Sequence, residues 1–209
     1  MTRIDLKKDL KLLYKPSSKE ISIVDVPLMN FLMIDGRGNP NTSPEYAEAI
    51  EALFSLAYAL KFRVKKSTAS VDYAVMPLEG LWWTDDPRQF SMSNKEIWQW
   101  TAMIMQPDYV TAALFTDVLG EATKKKDLAA LERIKFGPYD EGVSAQVMHL
   151  GPYATEEPTI ARLHSFIEEN GYKLRGRHHE IYLKDVRRSA PEKLQTVLRQ
   201  PIEKVGSVT

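Results

Sequence analysis

Cysteine is absent from all 209 residues. That excludes disulfides, thiolate metal centres and a cysteine nucleophile. An excess of charge of either sign is missing too, since 28 basic side chains meet 28 acidic ones. Neutralising phosphates takes a basic footprint, so nucleic acid is not an expected partner. An anionic membrane surface is not one either. No apolar run approaches the ~20 residues of a membrane helix. The opening ten residues carry Arg3, Asp5, Lys7, Lys8 and Asp9 and lack the apolar stretch of a signal peptide. The expected location is therefore the cytoplasm. Metal and cofactor motifs are also wanting. His178 and Glu180 could share an ion, but a third ligand at a recognisable spacing is missing. Asp35-Gly36-Arg37-Gly38 lacks the third glycine or the Lys-Ser/Thr of a phosphate loop and reads as a turn.

What is present is an ordinary soluble composition, 44% hydrophobic and 27% charged, enough to bury a proper core. Strand-like runs cover 21–26 and 31–34, separated by Pro27, and a turn-rich loop spans 35–41. Ser43 can cap a helix with Pro44 at its first position. Ala49, Leu53, Leu56 and Leu60 give that helix its apolar stripe. Strands are expected at 71–76 and 78–83, and an apolar segment at 96–105. A second helix is expected from Pro107 or Asp108 to about Lys126, where Lys124, Lys125 and Lys126 suit the negative end of its dipole. Further on come a strand at 143–150, the Gly151-Pro152-Tyr153 turn and a helix at 156–170 with Ile160, Leu163, Phe166 and Ile167 inward. Gly171 ends it. Short strands follow at 172–174 and 178–183, and Pro191 opens a C-terminal helix.

The strand at 178–183 carries an acid in its middle. Alternation puts His178, Glu180 and Tyr182 on one face and His179, Ile181 and Leu183 on the other. A carboxylate between an imidazole and a phenol suits a polar group in an otherwise apolar ligand pocket. Aromatic residues supply the rest. Trp82 and Trp83 must face opposite ways, and Trp98 and Trp100 share a face. Flat rings stack on planar ligands and attract cations.

The order strand, turn, helix, strand, strand occurs twice, in modules at about 20–125 and 140–209. The fold class read from this is α+β, in which duplicated strand–helix–strand–strand modules form antiparallel sheets around a central hydrophobic pocket. The whole chain, 1–209, is taken as one domain. In this alignment Glu79 falls near Glu180, each with an aromatic, Trp83 or Tyr182, on its own strand face.

The run His178-His179-Glu180-Ile181-Tyr182-Leu183, then Asp185, Arg187-Arg188 and Pro191 through Arg199, resembles the C-terminus of stand-alone GyrI-like small-molecule-binding proteins. Gly137-Pro138-Tyr139-Asp140-Glu141, Gly151-Pro152-Tyr153 and Leu81-Trp82-Trp83 through Trp98 look like the same group, so the resemblance covers about residue 15 onwards. It implies a pocket for small hydrophobic molecules that are planar or cationic. In multidrug-responsive regulators such a domain is joined to a DNA-binding helix-turn-helix, for which the arm before the first strand is too short. One subset hydrolyses the cyclopropane of duocarmycin-type DNA alkylators in an aromatic cage, without a cofactor. Carried over, Glu180 and Tyr182 are the expected catalytic residues. The expected ligand-binding set is Trp82, Trp83, Tyr139, Trp98, Trp100, Glu79 and His178. Two further readings remain: a non-catalytic binder that sequesters drugs, and an adaptor for another protein.

Overall fold

The computed structural model describes residues 2–86 and 94–206. The chain runs through β1 (Thr2–Ile4), α1 (Leu6–Asp9), α2 (Lys11–Tyr14), β2 (Ser22–Val26), β3 (Met29–Arg37) and α3 (Pro44–Lys66). Next come β4 (Val71–Tyr73), β5 (Glu79–Trp83), β6 (Gln99–Gln106), α4 (Ala112–Lys125), β7 (Lys135–Tyr139) and β8 (Gly142–Leu150). It closes with α5 (Glu157–Glu169), β9 (Tyr172–Leu174), β10 (His178–Tyr182) and β11 (Gln195–Lys204). Ser43 caps α3 as expected, its hydroxyl accepting from the Tyr46 N–H, with Pro44 in the first turn. Ala49, Leu53, Leu56 and Leu60 are wholly buried, and each leucine contributes roughly 1.5–3 kcal/mol of transfer free energy.

The main sheet has the order β2-β8-β11-β10-β5-β6-β3-β7, with β9 pairing β11 at the side. It curls into a half-barrel. The order β8-β11-β10 recurs as β3-β6-β5, and the two triplets meet where β10 pairs antiparallel with β5. In each, the first strand leads into a helix, α5 after β8 and α3 after β3. Both helices cover the same face. On α3, Tyr46 packs on Trp82 and Trp100, and Trp82 stands opposite His178. On α5, Leu163 and Ile167 pack with Val147 and Leu198, and Leu198 stands opposite Glu180. Strand β10 thus lies between the two helices, which positions the site.

Four sequence expectations need correcting. The supposed loop at 35–41 begins as strand, since Asp35, Gly36 and Arg37 pair with β6. Gly36 lets the Trp100 ring lie over the backbone there, where a Cβ would meet it at 2.2 Å. The strand at 71–76 stops at Tyr73 and leaves the main sheet to pair in parallel with β1. Helix α4 starts four or five residues late, because Pro107 and Val110 form a turn and Thr111 supplies the cap. The segment after Pro191 makes one 3-10 turn and then β11, not a helix. Residues 196–199 pair with β8 on one side and β10 on the other and are all buried. Ladder hydrogen bonds and burial on both faces override the local helix signal.

Candidate active site

Glu180 stands at the centre of β10, opposite Gly80 on β5 and Leu198 on β11. Gly80 offers no side chain, and the Trp82 indole leans over it, so close that a Cβ would meet Nε1 at 2.8 Å. From there the Trp82 N–H donates to the Tyr182 hydroxyl at 3.2 Å. Tyr182 in turn donates to Glu180 Oε2 at 2.7 Å. Glu180 Oε1 faces His178 Nε2 at 3.5 Å. Glu180 is only 5% exposed. Rings surround this chain of contacts: Trp98 lies 5.4 Å from Trp82, Tyr46 lies 5.6 Å from Trp82 and 4.9 Å from Trp100, and Tyr153 sits edge-on to Tyr182 at 5.3 Å.

Burial, followed by the nearby charge of Glu180, pushes the Tyr182 and Tyr46 phenols well above their ordinary range. Both keep their protons and act as donors. The same two causes raise the Glu156 carboxyl to about 9. The arrangement offers flat apolar walls, one carboxylate that accepts from a phenol, and a second carboxyl that holds its proton. Among the described residues no group of three or more His, Asp or Glu could hold a metal ion. An open groove of about 400 Å³ between α3 and α4, lined by Ser55, Tyr58, Phe62 and Val118, has no comparable chemistry.

The structure brings together Glu180, Tyr182, His178, Trp82, Trp98 and Trp100. It separates Glu79, Trp83 and Tyr139 from them. Glu79 stands opposite Ile181, one residue out of phase with Glu180, so its side chain points to the other face. A one-residue slip in the repeat alignment reverses every side chain. Trp83 shares that other face, with the Arg177 guanidinium 3.6 Å above its ring. Tyr139 packs edge-on against Phe31 at 6.1 Å near the sheet edge.

On that face Glu79 belongs to a closed polar network. It accepts from the Tyr14 hydroxyl at 2.7 Å and pairs with His179 Nε2 at 2.9 Å. His179 Nδ1 meets Glu141 at 2.9 Å, and Arg199 donates to Glu141 at 3.1 Å, to Gln146 at 3.0 Å and to the Leu13 carbonyl at 2.7 Å. His179 is therefore not a core hydrophobe but the centre of this network. Burial opposes its protonation, yet Glu141 and Glu79 outweigh it and hold the imidazole up to about 9. Glu141 is held down to about 2, since His179 and Arg199 outweigh its own burial.

Sequence reasoning missed Tyr46 and Glu156 and left Tyr153 as a turn residue. Tyr46 was within reach, since it lies three residues before Ala49 on the buried stripe of α3. Glu156 carries no such signal. An acid at a helix start reads as a dipole partner, and only the fold shows it turned inward.

The chain matches the GyrI-like small molecule binding domain over residues 19–203. It is similar to an uncharacterised conserved protein from Listeria innocua, at 38% identity and a TM-score of 0.88 over 96% of this chain and 100% of that one. A hydrolase from Listeria innocua is 37% identical, with a TM-score of 0.83 and the same coverage. The EcmrR C-terminal domain, 14% identical, shares the fold with a TM-score of 0.55 over 89% of this chain and 98% of that one. No curated protein matches the chain. A duplicated antiparallel half-barrel, two helices on one face and a buried glutamate between them agree with the match over 19–203, and the chain belongs to the GyrI-like small-molecule-binding domain family.

Proposed function

We propose that the protein takes planar hydrophobic xenobiotics between α3 and α5 and hydrolyses the cyclopropane ring of duocarmycin-type DNA alkylators, with Glu180 as general base. The carrying observation is the state of Glu180. It is almost wholly buried among aromatic rings, it accepts from a phenol, and no lysine or arginine pairs with it among the described residues. Burying a carboxylate with no lysine or arginine beside it is costly, and a working site is a reason to bear that cost. The similarity to a Listeria innocua hydrolase supports a hydrolytic role.

In these compounds the strained ring is conjugated to a dienone. Water oxygen bonds to the ring methylene, and one ring C–C bond breaks. Its electron pair makes the dienone an aromatic phenolate. Glu180 takes the proton from the water, and the phenolate oxygen gains one, so the sum is addition of one water. General-base help of this kind is worth about 10²–10⁴-fold. Tyr182 fixes Glu180 Oε2, while Trp82, Trp98 and Tyr46 flank the planar body. Trp83, Tyr139 and Glu79 support the fold from the other face.

A second reading, binding without turnover, rests on the same burial. An ionised Glu180 inside aromatic walls would hold a planar cation, each ring adding about 0.5–2 kcal/mol. Incubation of a duocarmycin-type compound with wild type and Glu180→Gln, followed by mass spectrometry, separates the two. A water-added product that vanishes in the variant is the expected result. Stoichiometric protection of intact compound would leave the binder.

A further inference from the structure

The Glu156 side chain is used neither by the fold nor by the reaction above. Glu156 occupies the cap position of α5, where its carbonyl accepts from Thr159 and Ile160. Its side chain makes no capping hydrogen bond. It is wholly buried, and neither carboxyl oxygen has a hydrogen-bond partner among the described residues. Thr196, on the neighbouring strand β11 and opposite Tyr182, is wholly buried too, and its hydroxyl lies beside the Glu156 carboxyl. A carboxyl placed at the positive end of a helix and not used as its cap has been turned towards something else. A wholly buried carboxyl with only a threonine hydroxyl beside it to bond is rare and costly.

The groups around it come from every neighbouring element. Glu180 and Tyr182 face it from β10, Thr196 from β11, Tyr153 from the preceding turn and Lys95 from the turn before Trp98. We infer that Glu156 is a second working carboxyl, which with the Thr196 hydroxyl donates a hydrogen bond to an acceptor oxygen of the bound ligand beside Glu180. This fits a neutral planar ketone better than a cation, because only one carboxylate of the pair then carries charge. Resting on the hydrolase reading, it divides the labour. Glu156 gives its proton to the dienone oxygen as that becomes phenol, Glu180 takes the proton of the water, and exchange with solvent restores both. Burial and the charge of Glu180 keep Glu156 protonated up to about pH 9, so the donor is loaded at neutral pH.

The test needs no turnover. Protein labelled with 13C at the glutamate carboxyls is titrated by NMR, as wild type and as Glu156→Gln. One carboxyl titrating near 9 that disappears in the variant is expected. Tryptophan quenching then gives affinity for a duocarmycin-type dienone and for the planar cation ethidium. Glu156→Leu weakens the dienone about tenfold, as loss of one hydrogen bond does, and leaves ethidium binding unchanged or tighter. Glu156→Gln, which keeps a donor, restores dienone affinity. Titration of Glu156 in the ordinary carboxylate range, or equal dienone affinity in all three proteins, would overturn the inference without touching the role of Glu180. Failure of the wild-type protein to form a water-added product would instead overturn the hydrolase reading alone.

Discussion

Tyr182 serves two neighbours with one hydroxyl, accepting from the Trp82 indole at 3.2 Å and donating to Glu180 at 2.7 Å. Tyr182→Phe keeps the ring, and with it the edge contact to Tyr153, while removing both bonds. Two buried polar groups then lose a partner, at about 1–3 kcal/mol each. Urea unfolding is expected to show a loss of that order. If Glu180 is the base, the same variant lets its carboxylate wander, and turnover of the dienone falls about tenfold to a hundredfold. A variant that loses stability but keeps its turnover number would remove Tyr182 from the machinery. This pairing was readable in the sequence, because His178, Glu180 and Tyr182 alternate along one strand. Glu79 and Trp83 were not placed correctly, because a glutamate beside aromatics looks alike from either face until the register is known.

Strand β10 is an element with two different polar sides. Its Glu180 side faces the aromatic cluster of Trp82 and Tyr182, and its His179 side is locked into the network with Glu79, Glu141 and Arg199. Glu141 shifts from 4.5 unfolded to about 2 folded, so its stabilisation is present above pH 4.5 and is lost as pH falls towards 2. His179 shifts from 6.5 to about 9, so its share is complete below pH 6.5 and is lost as pH rises through 9. Glu156 shifts the other way for an acid, from 4.5 to about 9, so it destabilises increasingly above pH 4.5. Together these three groups favour the fold most within pH 4.5–6.5, while His149 and His164, whose protonation is opposed by burial, draw the optimum towards the upper end of that window. Glu156→Gln should flatten the fall between pH 4.5 and 6.5 and leave the acid limb intact, as read by urea midpoints across pH. Arg199→Met should cost about 3–5 kcal/mol at any pH in the peak window, because it leaves a buried carboxylate short of its cation. At this scale the sequence misled only where tertiary pairing decided the state. Pro191 and the apolar residues after it mimic a helix start, yet the gap between β8 and β10 takes the segment as a strand.

At the scale of the molecule, duplication puts the two helices on one face and leaves the other to be covered by different means. The repeated order of turns, helix and strands made the architecture legible, since a unit seen twice outweighs any one of its parts. The cover of the second face was not legible, because the opening residues look only charged. In the structure that arm runs across the back of the sheet. Leu13 and Tyr14 are buried there, the Tyr14 hydroxyl reaches Glu79, and the Leu12 and Leu13 carbonyls accept from Gln146 and Arg199. Removing residues 1–14 would strip these partners from Glu79, Gln146 and Arg199 together. A loss above about 3 kcal/mol is expected, since several buried polar groups are affected at once. The proposed ligand space lies on the opposite face, between α3 and α5. Folded truncated protein, held at low temperature, should therefore bind the dienone within a few-fold of wild type while its urea midpoint drops sharply. Equal loss of binding and stability would instead mean that the arm shapes the pocket through the sheet, with the network around His179 as the connection.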